Sequence, residues 1–232
     1  MQLMLSVIIP TYNAAAQLPR TLSALVPGVV AGVLKEVIIC DGGSSDETCK
    51  LAEGSGANFI SGPKGRGVQL KAGAKAARGE WLLFLHADTE LSPGWEGEVE
   101  RFMERAGRDD TPPRAGYFTF GLDDPGLFAR IMEAGVRLRT LLFALPYGDQ
   151  GLLIERRFYE QLGGYAELPL MEDVEFVRRI GRKHLRPLAA RATTSARRYH
   201  RDGFAARIAR NSGCLALYFL RVSPARIARF YR

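Results

Sequence analysis

The run Leu82-Leu83-Phe84-Leu85, followed by His86-Ala87-Asp88, constrains the fold more than any other stretch of the chain. Four consecutive apolar residues leave no polar face, so a strand built from them has to be covered on both sides. That requires a sheet between layers of helices. In open sheets of this kind ligands bind beyond the carboxyl ends of the strands, and Asp88 falls there. A carboxylate in that position suits a hard divalent cation shared with a phosphate. Taken alone, Asp88 reads as a turn or cap former; the motifs around it change that reading.

Those motifs repeat one order of strand, loop and helix. Val7-Ile8-Ile9 is a β-branched run stopped by Pro10, and Thr11-Tyr12-Asn13 then leads into helical spacing at Leu18, Leu22 and Leu25. Residues 36–40 form a second run, with Asp41-Gly42-Gly43-Ser44-Ser45-Asp46 as its loop and a helix from Glu47 to about Ala52. Residues 58–61 read as a third short strand, 69–77 as an Ala-rich helix and 81–85 as the fourth strand. The alternation predicts a doubly wound, mostly parallel α/β sheet with helical crossovers. Further on, the pattern predicts a helix at 94–106, a turn-rich break at 111–116, and strands at 117–120 and 151–154 around a helical segment at 127–142. A helix over 173–180 and two amphipathic helices, 203–218 and 224–231, complete the reading. At 232 residues and 47% hydrophobic, the chain is large enough for one well-buried core.

The formal charge of +7 is concentrated at one end. Nine arginines and one acid lie between Arg197 and Arg232, giving +8 there and −1 over the residues before them. Such a tail suits nucleic acid, anionic lipid or a phosphorylated substrate. Cys40, Cys49 and Cys214 are odd in number and lack metal spacing, which points to reduced thiols in the cytoplasm. The N-terminus has neither a basic region nor a cleavage site, so no signal peptide is expected, and no run is long enough for a membrane span.

The loops after the first two runs should face one crevice. An aromatic ring and carboxylates there suit a nucleobase, while ordinary turn and cap chemistry explains each loop separately. Gly62-Pro63-Lys64-Gly65-Arg66-Gly67 offers glycines for close backbone approach, two cations and a following helix N-terminus, the elements of a phosphate site. It lacks the ending of a nucleoside-triphosphate P-loop. Glu172-Asp173 opens a helix, where paired acids complement the dipole and cap the first turn.

Together, residues 7–13, 37–48, Arg66-Gly67 with its helix and His86-Ala87-Asp88 resemble the family 2 glycosyltransferases and their GT-A fold. The resemblance extends from the N-terminus to about residue 182 and is particularly close to a compact bacterial subgroup carrying His-Ala-Asp. It implies a GT-A domain over residues 1–196, with a nucleotide-binding half at 1–90 and an acceptor-binding half at 91–196. Residues 197–232 form a basic helical extension. Pro10, Tyr12, Asn13, Asp41 and Gly42 are implied to hold the base and ribose, with Arg66, Gly67 and Asp88 at the diphosphate. Asp88 matches the second acid of the family's Asp-x-Asp motif, and His86 stands at the first. Asp173 matches the base that deprotonates the acceptor, and Glu172 either orients it or touches sugar or acceptor hydroxyls. Asp149 and Gln150 match an acceptor-end loop that bonds sugar hydroxyls. His200 reads either as a second metal ligand beside Asp88 or as a surface histidine among arginines.

The implied reaction is inverting, metal-assisted transfer, with Mn²⁺ or Mg²⁺, from a nucleoside diphosphate sugar, UDP-sugar favoured, to a hydroxyl acceptor that is lipid-linked in one version. No nucleic acid partner is expected. The location is cytoplasmic, with peripheral contact of the tail on the inner membrane face as a second option. Two rivals remain: a sugar-phosphate nucleotidyltransferase, and a non-catalytic basic module that binds polyanions through the tail.

Overall fold

The computed structural model describes residues 4–106 and 112–231. Strand β1 (Leu5–Thr11) runs parallel to β2 (Leu34–Asp41), and helix α1 (Leu18–Val30) crosses between them. Helix α2 (Thr48–Gly54) leads to β3 (Asn58–Ser61), and α3 (Arg66–Ala76) leads to β4 (Trp81–Phe84). The first half is therefore a parallel sheet of order β3-β2-β1-β4 with helical crossovers, as the alternation predicts. A short β5 (Thr89–Leu91), helix α4 (Trp95–Ala106), strand β6 (Ala115–Leu122) and helix α5 (Leu127–Phe143) follow. Beyond them come β7 (Leu152–Glu155), α6 (Arg156–Gln161), α7 (Glu172–Ile180) and β8 (Leu185–Thr194). The chain closes with α8 (Arg197–Asp202), α9 (Phe204–Phe219) and α10 (Pro224–Tyr231). The break expected at 111–116 begins on Thr111, which lies outside the described residues, and β6 already starts at Ala115.

The apolar runs are buried on both faces because alternate side chains enter separate cores. Val7, Ile9, Leu83 and Leu85 pack with α1 and α4, whereas Ile8, Leu82 and Phe84 pack with α3, α6 and α7. Antiparallel β7 joins β4 to β6, and β8 pairs with β6 and β5, extending one sheet to eight strands. Sequence reasoning did not anticipate β5, β8 or α6. The tail is helical as expected, and Leu215 and Tyr218 of α9 pack against the α3/α7 core. Among the described residues no helix is long and apolar enough to cross a membrane.

Close approach of α3 to the sheet positions everything that follows it. A Cβ at Gly73 would lie 2.4 Å from Ile8 Cγ2 and 2.7 Å from Cys40 Sγ. Only glycine admits that separation. Replacing Gly73 with Val should therefore cost about 1–3 kcal/mol by overpacking, read as a lower urea midpoint. An unchanged midpoint would show that the helix moves away from the sheet freely.

Candidate active site

The loops after β1 and β2 are laced together. Asp41, 3% exposed, accepts hydrogen bonds from Thr11 Oγ1 (2.9 Å), Gly43 N (2.9 Å), Ser44 N (2.7 Å) and the Ser44 hydroxyl. Burial acts to raise its pKa, yet these four donors bring it below the ordinary carboxylate value. Asn13 takes the left-handed conformation (φ 49°) that Asn tolerates better than most residues, and its Oδ1 accepts from Ser45 N at 2.8 Å. Asp41 thus braces the loops from beneath and does not reach the cavity surface, where a base contact was expected of it. Gly42 is similarly structural: a Cβ there would lie 3.2 Å from Lys64 Cα.

Above these loops lies a cavity of about 750 Å³, a size suited to a nucleotide sugar. Pro10, Tyr12 and Asn13 form one wall, and Lys64 and Arg66 at the start of α3 form another. His86 and Asp88, carried past the end of β4, line the floor. Lys64 Nζ sits 3.5 Å from the centroid of the Tyr12 ring, a cation–π contact. The far side comes from the tail: Arg198, Ala228 and Tyr231 all reach this cavity.

Arg66 and His86 also border a second, smaller hollow, together with Gly148 and Asp173. Asp173 is held by Gly148 N (3.1 Å to Oδ2) and by Val174 N (2.7 Å to Oδ1), at an α7 N-terminus whose first turn also carries Glu172 and Glu175. Glu172, 1% exposed, pairs with Arg66 Nη1 at 3.3 Å. Its pKa is raised by burial, against the pull of Arg66 and with a further push from Asp173. Burial works against the charge on Arg66, yet Glu172, Asp173 and Asp88 together raise its pKa. His86 is driven well below its ordinary value by burial and by Arg66 and Arg198, so its imidazole is neutral at pH 7.

Glycines set these separations. A Cβ at Gly67 would lie 2.3 Å from the carbonyl oxygen of Ala166, so Gly67 seats the segment before α7 against α3 and does not itself face the cavity. A Cβ at Gly148 would lie 2.5 Å from His86 Nε2, which makes Gly148 the spacer between His86 and Asp173. Gly148, Arg198 and Tyr231 were not singled out in the sequence. Only Gly148 had a visible signal, its place between Tyr147 and Asp149.

Two expected contacts fall elsewhere. Gln150, 3% exposed, turns inward: Nε2 donates to the Phe118 carbonyl (3.1 Å) and Oε1 accepts from Thr140 Oγ1 (3.2 Å), so its amide is engaged within the protein. His200 pairs with Asp124 (2.6 Å), while Arg198 reaches the cavity. Two residues apart on helix α8 point to nearly opposite sides, so Arg198 and His200 cannot both face Asp88. Asp149 lines neither hollow but lies close enough to feel Asp173 and Asp88. Its Oδ1 is buried without a partner, and burial, reinforced by Asp173 and Asp88 and opposed by Arg139, pushes its pKa up to about 6.

Among the described residues no three of His, Cys, Asp and Glu form a ready metal cage. Asp88 with the neutral His86 still fits a cation that takes most of its ligands from substrate phosphates and water, the common habit of Mg²⁺.

Residues 6–122 match the model of glycosyl transferase family 2. Thirty-eight per cent identity over 95 residues links the chain to a PGL/p-HBAD biosynthesis glycosyltransferase of Mycobacterium bovis (strain BCG / Pasteur 1173P2), over 38% of this chain and 36% of that protein. An uncharacterized glycosyltransferase of Rickettsia bellii is 31% identical over 106 residues, 45% of this chain and 34% of its own. These matches span about a third of the length of the curated relatives. Among solved structures, S. aureus TarS 1-349 in complex with UDP-GlcNAc superposes with a TM-score of 0.61 at 17% identity, covering 82% of this chain and 58% of that one. Glucosyl-3-phosphoglycerate synthase from Mycobacterium tuberculosis, in complex with Mn²⁺, UDP and glucosyl-3-phosphoglycerate, gives 0.53 at 20% identity, covering 83% and 70%. The fold is GT-A. The chain belongs to glycosyltransferase family 2.

An acid whose folded pKa exceeds its unfolded one is favoured in its protonated form, so its contribution to stability declines as pH rises between the two values. For Asp149 that window runs from 3.8 to about 6. Asp149→Asn should melt increasingly above wild type as pH rises through this range, measured by thermal unfolding. A constant difference across the range would show that Asp149 titrates normally.

Proposed function

We propose that this chain transfers a sugar from a nucleoside diphosphate sugar, UDP-sugar first among candidates, to a hydroxyl acceptor with inversion at the anomeric carbon. One observation carries this reading: Arg66 and His86 form a shared wall between the large cavity, with Asp88, and the hollow that holds Asp173. A donor in the first would present its sugar to a base in the second. The UDP complexes among the structural neighbours support a uridine donor, and one neighbour's Mn²⁺ supports a divalent cation.

In this scheme Tyr12 and Pro10 receive the base, with Asn13 and the Asp41-braced loop setting the ribose end. Stacking on Tyr12 requires either its free face or displacement of Lys64, which then joins Arg66 and Arg198 as a cation near the diphosphate. A cation held by Asp88 supplies charge neutralisation on the leaving diphosphate. Asp173 accepts the acceptor hydroxyl's proton through the carboxylate that Gly148 N and Val174 N hold in place. Glu172 acts through Arg66, keeping the guanidinium between donor and base.

The tail gives little support to a polyanion-binding module. Arg201, Arg207 and Arg210 all bond Asp202, and Arg207 is 8% exposed. A nucleotidyltransferase would release pyrophosphate from a nucleoside triphosphate and a sugar phosphate, for which the Asp173 geometry provides no group.

Calorimetry with UDP, GDP and CDP, each with and without Mn²⁺, should show one base preferred and a strong dependence on the cation. Asp88→Ala should remove most of that dependence. Asp173→Asn should retain donor affinity and lose about 10²–10⁴-fold in kcat, measured as nucleoside diphosphate release. Undiminished turnover in the Asp173 variant would exclude it as the base, and pyrophosphate release would identify the other reaction.

A further inference from the structure

Helix α5 is apolar on two opposite faces. Ala129, Met132, Val136 and Thr140 are buried against β6 and the start of the tail. On the opposite side Leu127 (72% exposed), Ile131, Leu138 and Leu142, with Leu141 beside them, form an outward stripe along the helix. Surface helices of soluble domains normally carry polar residues there, and a helix apolar all round is usually covered.

The charges around the stripe indicate what covers it. Arg137 lies on one flank, and exposed Arg182 donates to the carbonyls of Leu141 and Leu142 at the helix end. The nearby acids are already engaged: Glu133 by Arg130 and Arg191, Asp124 by His200, and Asp123 by Arg20. The stripe is thus apolar with a cationic edge. A second copy of the chain would meet the same cations. A helix of 17 residues is also only about 25 Å long and 10 Å wide, far short of the about 800 Å² that each partner gives a stable protein interface. A bilayer requires no matching surface and attracts arginines through its anionic headgroups.

We infer that α5 docks this protein on the surface of an anionic phospholipid bilayer, with the Leu127-to-Leu142 stripe among the acyl chains and the arginines at the headgroups. The same helix adjoins the site: Arg139 Cζ stands 3.5 Å from the Tyr147 ring centroid, and the next residue, Gly148, bonds Asp173. Docking therefore brings the hollow that holds Asp173 toward the membrane, and this inference stands independently of the sugar-transfer reading.

Sedimentation of the full chain with phosphatidylcholine vesicles, and with vesicles also containing phosphatidylglycerol, tests it. The chain should sediment with the anionic vesicles and weaken as salt rises. Leu138→Ser combined with Leu142→Ser should lower the affinity about tenfold or more, and Ile131→Ser in the other half of the helix should lower it less, both with unchanged urea midpoints. Wild-type chain left in the supernatant at low salt would overturn the inference. So would equal binding by all variants, or a dimer in sedimentation velocity that the same substitutions dissociate.

Discussion

The ion pair between Arg66 and Glu172 joins the halves of this molecule, and the arrangement of the site depends on it. Arg66 opens α3, whose glycine-lined contact with β1 and β2 ties it to the first ninety residues. Glu172 opens α7, in the later part of the chain, with its side chain 2% exposed. A carboxylate buried that deeply is strongly disfavoured without a partner. Gly67, one residue beyond Arg66, has no Cβ and so lets the Ala166 carbonyl come close to α3. The proposed base follows Glu172 directly, so its position relative to the large cavity is set by the same pair.

Elements whose own residues demand burial were legible in the sequence. β1, β2 and β4 announced themselves because continuous apolar runs require cover on both faces. β8 did not, since Leu185–Thr194 is rich in Ala, Arg and Pro, which favour strands poorly, and becomes a strand by pairing with β6 and β5. At the site, residue types were readable and side-chain directions were not. Asp41 and Gln150 have the right chemistry for ligand contact, yet both spend it on the protein. The His200 expectation turned on helical register, which places Arg198 at the cavity instead.

The tail shows how composition alone misleads. Nine arginines suggest a surface seeking polyanions, but Asp202 gathers three of them and its pKa falls to about 2, mainly through its bond with Arg201. That cluster ties α8 to α9, Arg207 bonds Tyr231 of α10, and Leu215 and Tyr218 pack α9 on the body. Tyr231 and Ala228 thereby complete a cavity otherwise formed by the first ninety residues and the segment before α7. No local pattern announces this, because it is a consequence of packing.

The charge arrangement in the site bears on how a donor enters it. Asp88, Asp149, Glu172 and Asp173 stand near Arg66, with Arg139 and Arg198 close by and His86 neutral. Glu172 is already committed to Arg66, so the guanidinium has limited charge to offer an incoming diphosphate. A diphosphate beside Asp88 then meets like charge, whereas a divalent cation between them converts that repulsion to attraction. In the proposed reaction, cation and nucleotide must therefore favour each other's binding by the same factor. The lack of a ready cage among the described residues fits this arrangement, since a cation bound tightly beforehand would gain little from the nucleotide.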